Sequence, residues 1–203
     1  MVTYRDFADG DRERVKDIIA ESFNLAAYAE PEAFDLSKET DISNCLVDAT
    51  FTRVAESDGN VVGILFGYAA CDITPELHET TVTEHERRFS AFRCRDPRGG
   101  LNFRRVSEAY EKMLEGRSYD GCITVMAVAE GYKGKGIGTR LLDEVEAYHR
   151  SKGVKSAFLF SDSLCDYEFY ERHGFKRMAE GEIQRKKGGE KAVHTAYLYQ
   201  MDY

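Results

Sequence analysis

Residues Gly131 to Leu142, GYKGKGIGTRLL, constrain this chain more than any other stretch. Ahead of them, Cys122 to Ala129 (CITVMAVA) has the length and the β-branched content of a buried strand. Behind them an amphipathic run begins, so the local order is strand, glycine loop, helix. Glycines reach positive φ and admit a ligand without a Cβ in the way, while the first N–H groups of the next helix stay unpaired and carry partial positive charge. Such a loop suits a phosphate or pyrophosphate. Spacing removes two versions of it. A nucleotide-hydrolase loop would need Gly-Lys-Ser/Thr after Gly131 and four residues, where this chain has Gly136, Ile137 and Gly138. A dinucleotide fingerprint starting at Gly134 would need Gly or Ala at Thr139 and a place near the start of a repeated βαβ pattern. The structural alternative is a plain βα turn with glycines for tight packing.

With 203 residues and no Pro/Gly/Ser-rich or low-complexity linker, the chain reads as a single domain over 1–203. Its composition, 42% hydrophobic and 32% charged, is that of a soluble globular protein. A formal charge of −8 argues against general nucleic-acid or anionic-membrane binding, because phosphate-backbone affinity comes from clustered Lys and Arg. A cationic or neutral small molecule is easier to admit than an anionic one. The five cysteines, Cys45, Cys71, Cys94, Cys122 and Cys165, are odd in number and lack a CxxC pair, so neither a zinc site nor a disulfide framework is expected. The first residues, MVTYRDFADG, lack an apolar signal core, and Val61 to Cys71 is too short to span a membrane. A reducing cytoplasm is the expected compartment.

Taken in order, Val2 to Phe7 reads as a strand and Val15, Ile18, Ile19 and Phe23 as one face of a helix capped by Asp9 or Asp11. A second helix falls within Ser37 to Ala49. Phe51 to Glu56 and Val61 to Ala70 are strands around an Asp58-Gly59 hairpin turn. Asp72 to Tyr119 differs in being polar, charged and broken by Pro75, Pro97 and Gly99-Gly100. It reads as a helical excursion, with one helix through Phe103, Val106, Tyr110 and Met113 and a weaker one over Glu79 to Phe92. The excursion either covers a pocket and shapes it, or is a helical hairpin that enlarges the core or makes a dimer contact. After the glycine loop, Ile137, Leu141, Val145 and Tyr148 form the buried stripe of a helix, and Val154 to Ser161 is the next strand, giving a parallel crossover. A short helix is expected from Asp162 or Ser163, with Ser163 and Asp166 in capping-box spacing. Lys176 to Glu182 and Val193 to Met201 read as the last strands, with a charged turn at Lys186 to Glu190.

Two motifs in this order carry a resemblance. Lys133, Gly136 and Gly138 match the coenzyme A pyrophosphate loop Q/R-x-x-G-x-G/A of the GNAT N-acetyltransferase superfamily, with Lys in place of Gln or Arg. FYERHGF at Phe169 to Phe175 is similar to the superfamily's F/L-Y-E-K-x-G-F signature, one helix and one strand later. Ser163 and Asp166 stand where that family often has Asn and Ala. The resemblance implies an α/β (α+β) GNAT fold: a mixed, largely antiparallel sheet of six or seven strands, helices on both faces, and a parallel central strand pair that splays apart. It implies acetyl-CoA as co-substrate, with no metal, and an amine acceptor. Backbone groups of Met126 and Val128 would meet the pantetheine arm. The amides of Lys133, Gly134, Lys135, Gly136, Gly138 and Thr139 would hold the pyrophosphate.

Within that resemblance, Tyr170 is the expected acid that protonates the leaving thiolate. A phenol titrates near 10 and a thiol near 8.5, so the transfer is uphill by roughly 2 kcal/mol unless the site tunes it. The general base is not legible: Asp120, Asp162 and Glu130 are candidates at strand ends, and His173 and His194 are given no role. The main expectation is transfer of acetyl to a primary amine of a small molecule. Acetylation of a protein N-terminus or lysine, or a non-catalytic CoA-binding module, are the alternatives, and a homodimer is left open.

Overall fold

The turn Asp58-Gly59 sets the first hairpin. Both residues have positive φ, 51° and 79°, the geometry whose twist matches that of flanking antiparallel strands. It joins β2 (Phe51–Ser57) to β3 (Asn60–Ala69), with β1 (Val2–Arg5) along the outer side of β2. The computed structural model describes residues 1–187 and 190–203. Its remaining strands are β4 (Gly121–Val128), β5 (Ser156–Asp162), β6 (Lys176–Lys187) and β7 (Glu190–Asp202). They form one seven-stranded sheet in the order β1-β2-β3-β4-β5-β7-β6. All neighbours are antiparallel except β4 and β5. This is the mixed sheet with a central parallel pair that the motifs implied.

Helices cover both faces. On one lie α1 (Arg12–Ser22) and α2 (Phe34–Cys45), whose Val15, Ile18, Ile19 and Ile42 pack with Ile64, Phe66, Val125 and Ala127 of the sheet. On the other lies α5 (Ile137–Ser151), which buries Ile137, Leu141, Leu142 and Val145 against Leu65, Ile123 and Leu159. Each such side chain contributes about 1.5–3 kcal/mol of transfer free energy. The inner position at the end of α5 belongs to His149 as much as to Tyr148. His149 is fully buried and satisfied, its ring nitrogens lying 2.9 Å from Tyr203 Oη and 3.0 Å from the Tyr68 carbonyl.

The excursion is a pair of long helices, α3 (Pro75–Arg95) and α4 (Pro97–Leu114). Expected breakers turn out to be starters: Pro75 and Pro97 each open a helix, where a missing N–H costs nothing. The Thr74 and Asp96 side chains cap them by accepting from Leu77 N and Gly99 N, which places Gly99-Gly100 inside α4. Asp96 also accepts from Glu30 N at 2.8 Å, tying the α3–α4 corner to the loop before α2. The short helix α6 (Glu168–Arg172) begins later than expected. Asp162 closes β5, and no Ser163–Asp166 capping box forms, because Ser163 Oγ accepts instead from Thr195 N at 3.1 Å. The final strands are longer than the apolar runs suggested. Within the charged turn expected at Lys186 to Glu190, Gly188 and Gly189 lie outside the described residues. Among the described residues, no helix is long and apolar enough to cross a membrane.

Candidate active site

The opening at the centre of the sheet follows from one irregularity in β4. Phe66 pairs with Val125 but the next residue, Gly67, pairs with Ile123, so Thr124 is an extra residue bulged out of the ladder. Thr124 Oγ1 then donates to the Cys45 carbonyl at 2.8 Å, fixing the bulge to the end of α2. Parallel pairing of β4 with β5 stops at the same point: Gly121–Ala157, Cys122–Phe158 and Ile123–Leu159 are the only partners. Beyond Ile123 the two strands part, leaving the β5-facing edge of Thr124 to Val128 without a strand neighbour.

A cavity of about 950 Å³ fills that wedge, and it runs from the glycine loop to α4 and β6. At the loop end, Gly134 and Gly136 have φ of +73° and +78°, and Gly136 precedes the first turn of α5. The first hydrogen bond of that turn is donated by Arg140 to Gly136 C=O at 3.0 Å. Among the described residues, the amides of Gly134, Lys135, Gly136, Ile137, Gly138 and Thr139 have no acceptor. Lys133 differs: its amide donates to Glu130 C=O at 3.3 Å and its ammonium pairs with the Glu130 carboxylate at 2.6 Å. Lys135 turns its ammonium onto the Tyr132 ring, 4.6 Å from the centroid. Unpaired donors at a helix start suit a diphosphate.

Tyr170 lies across the wedge on α6, between Phe169 of the same helix and Phe175 just beyond its end. Its ring packs edge-on to both, at centroid distances of 5.5 and 5.7 Å, and tilts over Tyr199 at 5.8 Å. The side chain is 9% exposed and lines the cavity. Burial pushes its phenol up from the usual value, with further upward pressure from Cys165 and Asp166. It is therefore a neutral donor through the physiological range. Beside it, His173 Nδ1 sits 2.8 Å from the Phe169 carbonyl and Nε2 3.1 Å from Thr139 Oγ1, so α6 and the start of α5 are coupled.

Residues 99–177 match the acetyltransferase (GNAT) domain family. Over those residues the chain is similar to a GNAT acetyltransferase domain. Solved structures extend the likeness of fold to its whole length. A Drosophila melanogaster polyamine N-acetyltransferase that forms N-acetylagmatine superposes with a TM-score of 0.66 at 16% identity, covering 100% of both chains. The ribosomal-protein-S18-alanine N-acetyltransferase of Escherichia coli gives 0.58 at 13%, covering 100% of this chain and 94% of that one. A GNAT family acetyltransferase from Elizabethkingia anophelis with acetyl-CoA bound gives 0.54 at 14%, covering 100% and 98%. A search of curated proteins returns no match to the sequence.

The far half of the cavity is walled by α2, α4, β6 and the end of β5. Tyr110 of α4 stacks on Phe160 of β5 at 3.9 Å, closing one side. The excursion thus both walls the cavity and enlarges the core, since α4 also packs Met113 with Phe158, Ile183 and Leu198. Most charges at the rim are already paired: Asp48 with His78 at 2.9 Å, and Arg172 with Asp166 at 3.1 Å. Asp162 stands 3.6 Å from the buried His194, whose imidazole is held below its usual value by burial first and by Arg185 next. Two opposite charges, Asp41 and Arg185, face the cavity with no ion-pair partner within 4 Å among the described residues.

Among the described residues Asp41 has only Ser37 Oγ at 3.5 Å, and burial pushes its carboxyl up to about 7 against the opposing pull of Arg185. The folded value is raised above the unfolded value of about 4, so ionisation opposes folding, and stability falls as pH climbs from about 4 to about 7. Asp41→Asn stays neutral at every pH. Urea melts should show it more stable than the parent at pH 8, on the order of 1–4 kcal/mol, with the gap shrinking as pH falls to 4. An equal gap at both pH values would refute the raised carboxyl.

Of the residues singled out from sequence, Tyr170, Met126, Val128, Lys133, Gly134, Gly136, Gly138 and Thr139 line one cavity, while Lys135 does not. Ile137, whose amide is unpaired, was overlooked. Of the three carboxylates considered as a base, Asp162 reaches the cavity, Glu130 is tied to Lys133, and Asp120 accepts from Lys155 N at 3.1 Å at the other end of β5. Asp41 and Arg185 were missed. Neither lies near a motif, and only the packing of α2 and β6 around the wedge brings them to it. Among the described residues, no group of three or more His, Cys, Asp or Glu is placed to hold a metal ion.

Proposed function

We propose that this chain is a single catalytic domain that transfers acetyl from acetyl-CoA to the primary amine of a small molecule, by direct attack in a ternary complex. The observation that carries the reading is the continuity of the cavity from the unpaired amides at the start of α5 to Tyr170. In this reading those amides and the macrodipole of α5 hold the diphosphate. The free edge of β4 at Met126 and Val128 aligns the pantetheine arm through the wedge. The acceptor occupies the half walled by α2 and α4.

The acceptor arrives mostly as an ammonium. Asp41, ionising near neutrality, is suited to hold that ammonium and to take its proton. The free amine nitrogen then bonds to the thioester carbonyl carbon, the carbon–sulfur bond breaks, and the electron pair leaves on sulfur. The phenol of Tyr170 gives a proton to that sulfur and is restored by the surplus proton the nitrogen sheds as the amide forms. The stacked Tyr110 and Phe160 supply a wall that favours a small acceptor over a polypeptide threaded through an open groove. A thiol-release assay with acetyl-CoA tests the reading, using polyamines, amino acids, aminoglycosides and short peptides as acceptors. Amine-dependent CoA release with a small amine is expected. Release only with peptides would move the reading to protein acetylation, and CoA binding without release for any amine would leave a regulatory module.

A further inference from the structure

The far half of the cavity holds a cation that the transfer chemistry does not use. Arg185 leaves β6 and lays its guanidinium over the Tyr28 ring, 4.5 Å from the centroid, facing the cavity. Its Nε is buried and, among the described residues, has no hydrogen-bond partner; no carboxylate lies within ion-pair distance of the group. A guanidinium whose Nε is shut off from water without a partner is costly. Its planar fork of donors fits a carboxylate or a related oxyanion two bonds at a time. Asp41 is the complementary feature: a carboxylate facing the same cavity, close enough for Arg185 to pull on its ionisation but not paired with it.

Resting on the acetyl-transfer reading above, we infer that the acceptor is an amine that also carries an acidic group, an amino carboxylate, whose carboxylate docks on Arg185 while its ammonium faces Asp41. A polyamine brings only positive charge and would leave Arg185 unpaired beside a second cation. An amino carboxylate brings one charge of each sign and satisfies both side chains. It also suits a chain of net charge −8, because the zwitterion is neutral overall. Tyr28, Tyr110 and Phe160 line the same cavity and offer apolar surface for the acceptor's carbon frame.

Matched acceptors that differ only in the carboxylate provide the test: arginine against agmatine, histidine against histamine, phenylalanine against phenethylamine. Two measurements are made on the full chain, kcat/KM from thiol release with acetyl-CoA, and Kd by calorimetry on the CoA complex. The carboxylated member of at least one pair is expected to win by tenfold or more in both. Arg185→Gln should collapse that ratio to within about threefold, and Arg185→Lys should keep part of it. A preference for the decarboxylated member in every pair, a ratio unmoved by Arg185→Gln, or no binding of any carboxylated member overturns the inference. Turnover of amines without this preference overturns it while the acetyl-transfer reading stands. A carboxylate-dependent Kd without any thiol release does the reverse.

Discussion

Tyr170→Phe should lower kcat by tenfold to a thousandfold while Kd for acetyl-CoA moves by less than about threefold. The asymmetry comes from where the hydroxyl sits. The ring is anchored by Phe169, Phe175 and Tyr199, contacts a phenylalanine keeps, and the diphosphate end of the cavity is built from backbone amides that the substitution does not touch. In the proposed reaction, only the donor to the leaving sulfur is lost. Burial raises the phenol, so complete proton transfer to a thiolate is more uphill than the ordinary values indicate. A departing thiolate in the same dry cavity is raised as well, and a hydrogen bond to a developing charge gains strength there. Because the phenol is neutral throughout, the ratio of parent to variant kcat should stay flat between pH 6 and 9. Single-turnover measurements across that range check it. A variant with parental kcat, or one whose deficit appears only on an alkaline limb, would remove Tyr170 from the reaction.

How far the site could be read from sequence depends on how local its parts are. The proposed diphosphate cradle is contiguous: a strand, three glycines and a helix start, each with its own short-range signal, and Gly134 and Gly136 adopt the positive φ that glycine allows. Tyr170 is legible for the same reason, inside a signature whose aromatic neighbours are its own packing. The acceptor half is not contiguous. Asp41 comes from a helix whose buried positions include Ser37, Thr40 and Ser43, so α2 has little hydrophobic stripe to announce which face is inward. Its hydroxyls are satisfied locally, Thr40 Oγ1 by the Leu36 carbonyl and Ser43 Oγ by the Thr40 carbonyl, both at 2.8 Å. Arg185 lies in a basic stretch, RKK, that reads as a solvated strand end until β6 is laid against α4. The error over α6 has a similar origin. Ser163 had the spacing of a cap, but the Thr195 amide of β7 claims its hydroxyl first.

Gly67→Ala should be the most damaging single methyl in the sheet, because it strikes the irregularity that opens the wedge. A Cβ at Gly67 would stand 2.4 Å from the Cys122 carbonyl oxygen and 3.4 Å from the Ile123 Cα, which are backbone atoms with no rotamer to yield. Relief requires parting β3 from β4 at the Phe66/Gly67 register shift. That movement pulls on the Thr124 bulge and on the last parallel pair, Ile123–Leu159. The expected loss is about 3 kcal/mol or more of unfolding free energy, above the usual range for an overpacked site. Kd for acetyl-CoA should weaken at least tenfold in the same variant, since the free edge of β4 is aimed by that bulge. Gly10→Ala serves as the control: nothing lies within 4 Å of its Cβ, and it should change stability by less than about 0.5 kcal/mol. Urea denaturation and calorimetric titration with acetyl-CoA measure both quantities. Were Gly67→Ala to match Gly10→Ala in stability, the close approach of β3 to β4 would be wrong. Were it to lose stability while holding acetyl-CoA as tightly as the parent, the wedge would not owe its shape to the bulge.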